Sequence, residues 1–216
     1  MLFKIFNIYL SRKLPRGVDV FYDLRDYPIN KILDIGAGTG EFYKKAHRTF
    51  PKATVYSYEP VFLSYNKLRY VNPNSYYFAI SNHKGIIRVS TDMGDMNRIT
   101  CHGQQLALRK TIDSLHASAD LVKIDVEGHE LQVLEGMTKA LKKTMFVLIE
   151  CTFDKDNDYH VHIDKIILPG FKVFGIYEQV GEWTKNEPQL RRADVLYINT
   201  KESFNKQLAR SAKKRD

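Results

Sequence analysis

The sequence predicts an α/β fold in which a mostly parallel sheet carries helices on both faces. From residue 31 to about residue 150, short apolar runs alternate with runs of helical periodicity, and repeated strand–helix units are typical of parallel sheets. A glycine-rich loop follows the first apolar run, and acidic residues end several of the others. Ligands bind beyond the carboxyl ends of the strands in such sheets, so this loop and these acids are candidate site residues.

Hydrophobic patterns in the first half of the chain indicate three strands and two helices. The predicted strands are KILDI (31–35), ATVYSYEP (53–60) and SYYFAI (75–80). The predicted helices are EFYKKAHRTF (41–50), with Phe42 and Ala46 on one face, and SYNKLRYV (64–71). The run GIIRVST (85–91) fits an edge strand or a hairpin arm. Residues 92–110 show no clear period, and we expect a loop or short helices there.

The second half of the chain continues the alternation and then closes it. The predicted strands are LVKID (121–125), MFVLIE (145–150), FKVFGIYE (171–178) and ADVLYINT (193–200). One helix is expected in HELQVLEGMTKALKK (129–143), where Leu131, Leu134 and Leu141 are spaced for one face. Because no convincing helix lies between the last two strands, we predict that they form a hairpin.

The charge distribution argues against an enzyme that acts on nucleic acid. The 216-residue chain has a net charge of +8, but residues 1–16 and residues 201–216 each contribute +4, so the remainder is close to neutral. A nucleic-acid enzyme needs a basic groove in its body, because neutralising phosphates dominates its affinity. Binding to nucleic acid is therefore not expected, and the basic tail is predicted to be a solvated terminus.

No repeat or linker divides the chain, and its length suits one core. We predict a helical N-terminal extension packed on the domain (1–29), the main domain (30–200) and a basic tail (201–216). No transmembrane segment is expected, since the apolar start MLFKIFNIYLSRK is too short to span a bilayer. Contact between the N-terminus and a membrane surface stays open, as does the oligomeric state. Two cysteines outside any motif indicate a reducing compartment, which we interpret as the cytoplasm.

Acidic residues stand at the ends of four predicted strands, and Ile80 and Ser81 end a fifth. The four acids are Asp34, Glu59, Asp125 and Glu150. Because the carboxyl ends of parallel strands meet at one edge of a sheet, we expect these residues to converge on one crevice, although more than a hundred residues separate the first acid from the last.

The loop DIGAGTG is predicted to meet a nucleoside ligand. It contains Gly36, Gly38 and Gly40, with Ala37 between the first two. Glycine lets a backbone approach a ligand closely, and the following helix begins with free N–H groups. The dinucleotide fingerprint would need glycine or alanine where this chain has Glu41, which argues against an NAD-dependent oxidoreductase. A tight strand–helix turn without a ligand is the alternative.

Glu59 strengthens the prediction of a nucleoside site. It stands 25 residues after Asp34, at the end of the second strand, where an acid can accept both hydroxyls of a ribose. The alternative is that Glu59 only caps the turn before Pro60. A glycine loop together with a ribose acid is a more specific signal than either feature alone.

These motifs together resemble the FkbM family of S-adenosylmethionine-dependent methyltransferases. The segments that carry the resemblance are ILDIGAGTGEF, VYSYEP, YYFAISNHKG, TIDSL, DLVKIDVEGHELQVLEGM and LIE. Their order and spacing agree from about residue 30 to residue 150, and more loosely to residue 200. KIDVEGHE with its downstream LEG is the most specific of them, whereas DIGAGTG alone would indicate only the wider Rossmann-like superfamily. The family loop usually has asparagine where this chain has Gly38.

The resemblance implies a Rossmann-like class I fold with a seven-stranded sheet and an antiparallel C-terminal hairpin. It also implies O-methylation of a hydroxyl on a sugar, a glycan or a natural product. By position, Asp34 and the loop glycines would surround the methionine part of the donor and Glu59 would bind its ribose. Ile80 and Ser81, with Phe78 nearby, would lie at the adenine, and Asp125 would face the methyl group or the acceptor.

An alcohol becomes a good nucleophile only when its proton leaves, so a base is required. The candidates are Asp125, Glu127, His129 and Glu150, all within or near the stretch LVKIDVEGHE or at the next strand end. The same carboxylates and a histidine could instead hold Mg²⁺, which would lower the pKa of the hydroxyl, and the sequence leaves both routes open. A non-catalytic nucleoside-binding module of the same fold also stays open.

Two loops are further candidates for the acceptor side. DKDNDYHVH (154–162) follows the fifth strand, so His160 or His162 could contribute there. The segment QVGEWTKNEPQLRRA (179–193) contains the only tryptophan and could stack on a sugar or form a lid. Their alternatives are ordinary solvent-exposed loops.

Overall fold

A computed structural model of the protein describes residues 19–91, 97–157, 159–183 and 188–201. The N-terminal extension predicted for residues 1–29 is therefore described only from residue 19, where a short helix α1 (Val20–Leu24) packs on the domain. The predicted basic tail lies outside the described residues except for Lys201, which donates a hydrogen bond to the carbonyl of Lys142.

Seven strands form one mostly parallel sheet in the order β3-β2-β1-β7-β8-β10-β9. Strands β1, β2, β3, β7 and β8 run parallel, whereas β10 pairs antiparallel with both β8 and β9. The strands are β1 (Lys31–Ile35), β2 (Thr54–Tyr58), β3 (Ser75–Tyr76), β7 (Leu121–Ile124), β8 (Phe146–Thr152), β9 (Phe171–Trp183) and β10 (Pro188–Asn199). The predicted fold class and its closing hairpin are confirmed.

A second, three-stranded sheet corrects two predictions from the sequence. It consists of β4 (Ala79–Ile80), β5 (Gly85–Val89) and β6 (Gln105–Lys110), with β6 in the middle. The run 75–80 is thus two short strands in different sheets, and the end of 92–110 is a strand instead of a loop. The strand was not predicted because Leu106 and Leu108 are exposed. Its apolar side chains therefore do not mark its buried face.

The described residues contain five α-helices and two short 3-10 helices. The α-helices are α1, α2 (Glu41–Thr49), α3 (Phe62–Val71), α4 (Glu130–Glu135) and α5 (Thr138–Leu141), and the 3-10 helices are Asp113–Leu115 and Ile163–Lys165. Helices α4 and α5 replace the single helix predicted for 129–143. The chain leaves helical geometry at Met137, which has φ −131°. The preceding Gly136 lies so close to Ser81 that a Cβ atom there would be 2.0 Å from the Ser81 carbonyl oxygen, so glycine is required at this position.

Two apolar cores cover the two faces of the main sheet. One core joins α1 and α2 to Ile32, Leu121 and Leu148, and the other joins α4 and α5 to the alternating strand residues such as Val122 and Ile149. Alternate residues of a strand point to opposite faces, so the uninterrupted apolar run of β8 is buried on both sides. None of the helices in the described ranges is long and apolar enough to cross a membrane.

Candidate active site at the carboxyl ends of the strands

A cavity of about 350 Å³ opens at the carboxyl ends of β1, β2 and β7. This is the edge at which the sequence placed the site. The cavity brings together residues from many separate stretches of the chain, between Val20 and Asp194. Of the predicted site residues, those that line it are Gly36, Ala37, Gly38, Glu59, Pro60, Ile80, Asp125 and Glu127.

The glycine loop brings the first strand end against the β7 strand end. Gly36 has φ +77°, and a Cβ atom on it would lie 1.7 Å from the carbonyl oxygen of Asp125. Only glycine permits both this close approach and the left-handed backbone. Gly38 instead faces open space. Gly40 begins α2 with φ +96° and packs against Leu68, so its role is structural in this conformation.

Glu59 connects the end of β2 to the glycine loop. Its Oε2 accepts a hydrogen bond from the Gly38 N–H at 2.8 Å, and its Oε1 accepts one from the Val61 N–H at 2.7 Å. The residue is only 5% exposed, and burial raises its pKa to about 7. A carboxylate oxygen has more than one acceptor position, so both oxygens can also accept hydroxyl groups of a ligand.

Lys123 is the main site residue that sequence reasoning missed. Its Nζ lies 2.9 Å from Asp125 Oδ2 and 3.9 Å from Asp34 Oδ1, and it donates to the Gly36 carbonyl at 2.9 Å. Burial opposes its charge, but the two aspartates raise its pKa above the ordinary value. The sequence did contain a signal for this residue, since a lysine inside an apolar strand is unusual. Lys123 stands two residues before Asp125 and is therefore on the same face of the strand.

Asp34 lies beneath the cavity and does not line it. The side chain is fully buried, and its Oδ2 accepts a hydrogen bond from Ser57 Oγ at 3.0 Å. Asp34 pairs in register with both Ser57 and Lys123, so adjacent strands present all three on one face. Burial raises the pKa of Asp34, although Lys123 acts in the opposite direction.

A row of carboxyl groups extends from Asp125 across the sheet to Glu150 and Asp194. Burial alone would raise the pKa of Asp125, but Lys123 lowers it below the ordinary value, so Asp125 stays ionised. Burial and the adjacent Asp125 raise the pKa of Glu150 to about 9, although Arg192 Nη1 lies 2.5 Å from its Oε1. Burial and Asp125 likewise raise the pKa of Asp194 to about 6. Near neutral pH, Asp125 and most of Asp194 are therefore expected to be ionised, whereas Glu150 is expected to hold its proton.

Glu127 projects into the cavity from the turn after β7. Its backbone is left-handed, with φ +52°. Burial, then the charges of Asp125 and Glu130, raise its pKa to about 7. The imidazole of His160 faces it, with Nδ1 3.6 Å from Glu127 Oε2 and 3.7 Å from Glu150 Oε2. His160 thus comes from the 154–162 loop to the carboxylates, whereas His162 accepts the N–H of Asp164.

His129 and Ser81 contact each other, and neither lines the cavity. Nε2 of His129 lies 2.9 Å from the Ser81 hydroxyl. Burial, and secondarily Arg109, lower the pKa of this histidine to about 4. Ser81 is buried and its N–H donates to the Lys110 carbonyl. Within the described residues, therefore, His160 rather than His129 stands beside the carboxylates. The segment 179–193, for which a lid or a sugar-stacking role was predicted, forms the end of the β9–β10 hairpin where it is described. Residues 184–187 and the side chain of Trp183 lie outside the described structure, so that role stays a prediction.

We expect the ligand-free protein to lose stability as the pH rises from about 6.5 to 8.5. The pKa values of Glu59, Glu127 and Glu150 are raised in the folded state. An acid whose pKa is raised by folding contributes stability that is complete below its ordinary pKa of 4.5 and is lost as the pH rises to the raised pKa. A loss of about 1 kcal/mol would lower Tm by about 2–4 °C. Thermal unfolding across this range checks the sign, and Glu150→Gln should flatten the slope. A Tm that rises with pH would contradict the expectation.

Two sequence comparisons identify relatives of this chain. Residues 104–175 match the family model described as Methyltransferase FkbM domain. A stretch of 66 residues is 42% identical to the hexuronic acid methyltransferase AglP of Haloferax volcanii. That alignment spans 31% of this chain and 26% of AglP, so the chain covers about a quarter of its relative.

Two solved structures share the fold. The methyltransferase FkbM of Methylobacillus flagellatus KT superposes with a TM-score of 0.50 at 18% identity, over 88% of this chain and 46% of that one. The methyltransferase domain of bacterial CtHen1 superposes with a TM-score of 0.51 at 11% identity, over 84% of this chain and 95% of that domain. At these identities the superpositions show a common fold.

Proposed function

We propose that this chain is a member of the FkbM methyltransferase family and an S-adenosylmethionine-dependent O-methyltransferase. The acceptor proposed is a hydroxyl of a sugar, a glycan or a natural product, and a sugar is preferred because AglP is named for a hexuronic acid. The two free cysteines support a reducing, cytoplasmic setting as part of the proposal. An NAD-dependent oxidoreductase is disfavoured because Glu41 occupies the fingerprint position and lines the cavity.

The observation that carries the proposal is the hydrogen bond between Glu59 and the Gly38 N–H, in the same cavity as Asp125. The carboxylate that would bind the ribose lies beside an open glycine loop, which would meet the amino-acid end of the donor. Ile80 lines the same cavity and would form an apolar wall for the adenine. Asp125 and Glu127 lie on the β7 side of the cavity, where an acceptor would approach.

S-adenosylmethionine, when bound, supplies an electrophilic methyl group. The residues of this chain would position the acceptor and remove its proton. Glu127 lines the cavity and has a pKa of about 7, which suits a general base at neutral pH. Asp125 keeps its charge through Lys123, so it would orient the hydroxyl and maintain the raised pKa of Glu127. Glu150, which holds a proton, would act through its contact with Asp125. No described contact gives His129 a part in this step.

Two measurements test the function. Thermal shift with S-adenosylhomocysteine should raise Tm, whereas NAD should not. Methyl transfer from S-adenosylmethionine should then be detected on a panel of glycans and small hydroxylated metabolites, with and without a chelator. Binding of the donor product without turnover on a broad panel would favour a non-catalytic nucleoside-binding module. A response to NAD alone would contradict the proposal.

Glu59→Gln should weaken binding of S-adenosylhomocysteine by about 10–100-fold. The amide can present only one acceptor oxygen, so one of the backbone N–H groups or ribose hydroxyls loses its charged partner, and hydrogen bonds to charged groups contribute about 1.5–3 kcal/mol. Calorimetric titration measures the affinity. Glu135→Gln is the matched control, because Glu135 is exposed and bonds Asn82 on the surface. Unchanged affinity in Glu59→Gln would refute the assignment of the ribose site.

A further inference from the structure

Three side chains converge beside the proposed acceptor end of the cavity: Glu127, Glu150 and His160. One ligand atom from each lies within 4.8 Å of the other two. The cluster joins the turn after β7, the strand β8 and the loop that follows β8. Only Glu127 of the three lines the cavity itself, so the cluster stands at its wall.

The Nδ1 atom of His160, which faces Glu127 and Glu150, has no hydrogen-bond partner among the described residues. The side chain of His160 is 5% exposed, and its Nδ1 is buried and unpaired. Glu127 Oε2 is also buried without a hydrogen bond. Buried polar atoms are nearly always satisfied, and an unpaired one costs about 1–3 kcal/mol. Two such atoms aimed at one point indicate a ligand between them.

Glu130 holds the two sides of the cluster in place. Its carboxylate is fully buried and accepts hydrogen bonds from the N–H groups of Val126, Gly128 and Val161. The first two N–H groups flank Glu127 and the third follows His160. Glu130 therefore fixes the left-handed turn of Glu127 against the loop of His160. This arrangement is a built site and not a chance meeting of mobile surface acids.

We propose that Glu127, Glu150 and His160 bind one divalent transition-metal cation, such as Mn²⁺ or Zn²⁺, at the wall of the donor cavity. Two carboxylate oxygens and one imidazole nitrogen suit borderline cations better than Mg²⁺, which prefers oxygen ligands alone. In a tetrahedral zinc site with bonds of about 2.0–2.1 Å the ligand atoms stand about 3.4 Å apart. The separations from His160 Nδ1, 3.6 and 3.7 Å, are close to this value.

The inference rests on the proposed function for its chemical meaning. Three protein ligands leave coordination positions open, as in catalytic metal sites. A cation there would lower the pKa of the acceptor hydroxyl and orient its oxygen. Glu127 would bind the cation through Oε2, and its other carboxylate oxygen would still accept the hydroxyl proton. Arg192, at Glu150 Oε1, would leave Glu150 Oε2 for the cation.

The test measures metal binding without donor or acceptor. The full chain, freed of metal by chelation, is titrated with Mn²⁺ and with Zn²⁺, and uptake is followed by electron paramagnetic resonance and by calorimetry. One equivalent of either cation is expected to bind. His160→Asn and Glu127→Gln should weaken binding at least about 10-fold, since even residues that only support metal ligands are worth 10–100-fold. His162→Asn is the matched control, because it lies outside the cluster and asparagine can still accept the Asp164 N–H.

Affinity for S-adenosylhomocysteine, measured on the same samples, shows that each variant is folded and separates the two proposals. Normal donor binding together with uptake of neither cation, or with equal uptake by wild type and His160→Asn, overturns the metal site and leaves the methyltransferase proposal standing. Metal uptake that depends on His160 without donor binding supports the metal site and overturns the proposed function. Loss of both metal and turnover in His160→Asn, with donor affinity retained, supports both.

Discussion

Replacing Asp125 by asparagine is expected to lower kcat by about 10²-fold or more, the usual contribution of acid–base groups. The substitution removes the ionised group nearest Lys123 and the hydrogen-bonded neighbour of Glu150. It also removes a negative charge that raises the pKa of Glu127. The pKa of Glu127 should therefore fall, and Glu127 should become a weaker base.

The pH profile makes this expectation specific. The acidic limb of kcat/KM should move to lower pH in Asp125→Asn, since the base titrates at a lower pKa. Initial rates of methyl transfer across pH 5–9 measure both effects. Asp156→Asn is the control, because Asp156 is an exposed acid of the loop after β8. Turnover that survives Asp125→Asn intact would show that the residue is wrongly assigned.

Lys123→Met should lower the free energy of unfolding by about 3–5 kcal/mol, the typical cost of leaving a buried charge without its partner. Lys123 is 12% exposed and stands between Asp34 and Asp125, with Asp34 fully buried. Without the ammonium group, two carboxylates would share one poorly solvated region. Denaturant unfolding at constant pH measures the change.

Two further variants test the cause. Lys45→Met removes a lysine of the same cavity rim that is 58% exposed and pairs with Glu178 at 3.5 Å, so it should change stability by less than about 1 kcal/mol. Adding Asp34→Asn to Lys123→Met removes the buried carboxylate that has lost its partner, so the double variant should recover part of the lost free energy of unfolding. If Lys123→Met lowered the free energy of unfolding no more than Lys45→Met does, the buried ion pair would not stabilise the fold.

The glycine loop and the strand-end acids could be predicted because they are local. Gly36 follows β1 directly and Glu59 follows β2 directly, so the strand pattern alone placed them at one edge. Strand β6 could not be predicted, since its partners are β4 and β5 in a second sheet and its apolar residues are exposed. The requirement for glycine at residue 136 could not be predicted either, because it comes from a close contact with Ser81, which is distant in sequence.

The sequence by itself determined the α/β class, the positions of the glycine loop and of the acid after β2, and the family resemblance, because each depends on the periodicity of a strand or on neighbours along the chain. The tertiary structure alone decided which groups share a microenvironment. Register placed Lys123 opposite Asp34, and the β8 loop brought His160, instead of His129, to Glu127 and Glu150. Charge and pKa depend on burial and on distances of a few ångströms between remote residues, and these are set only when the sheet is assembled.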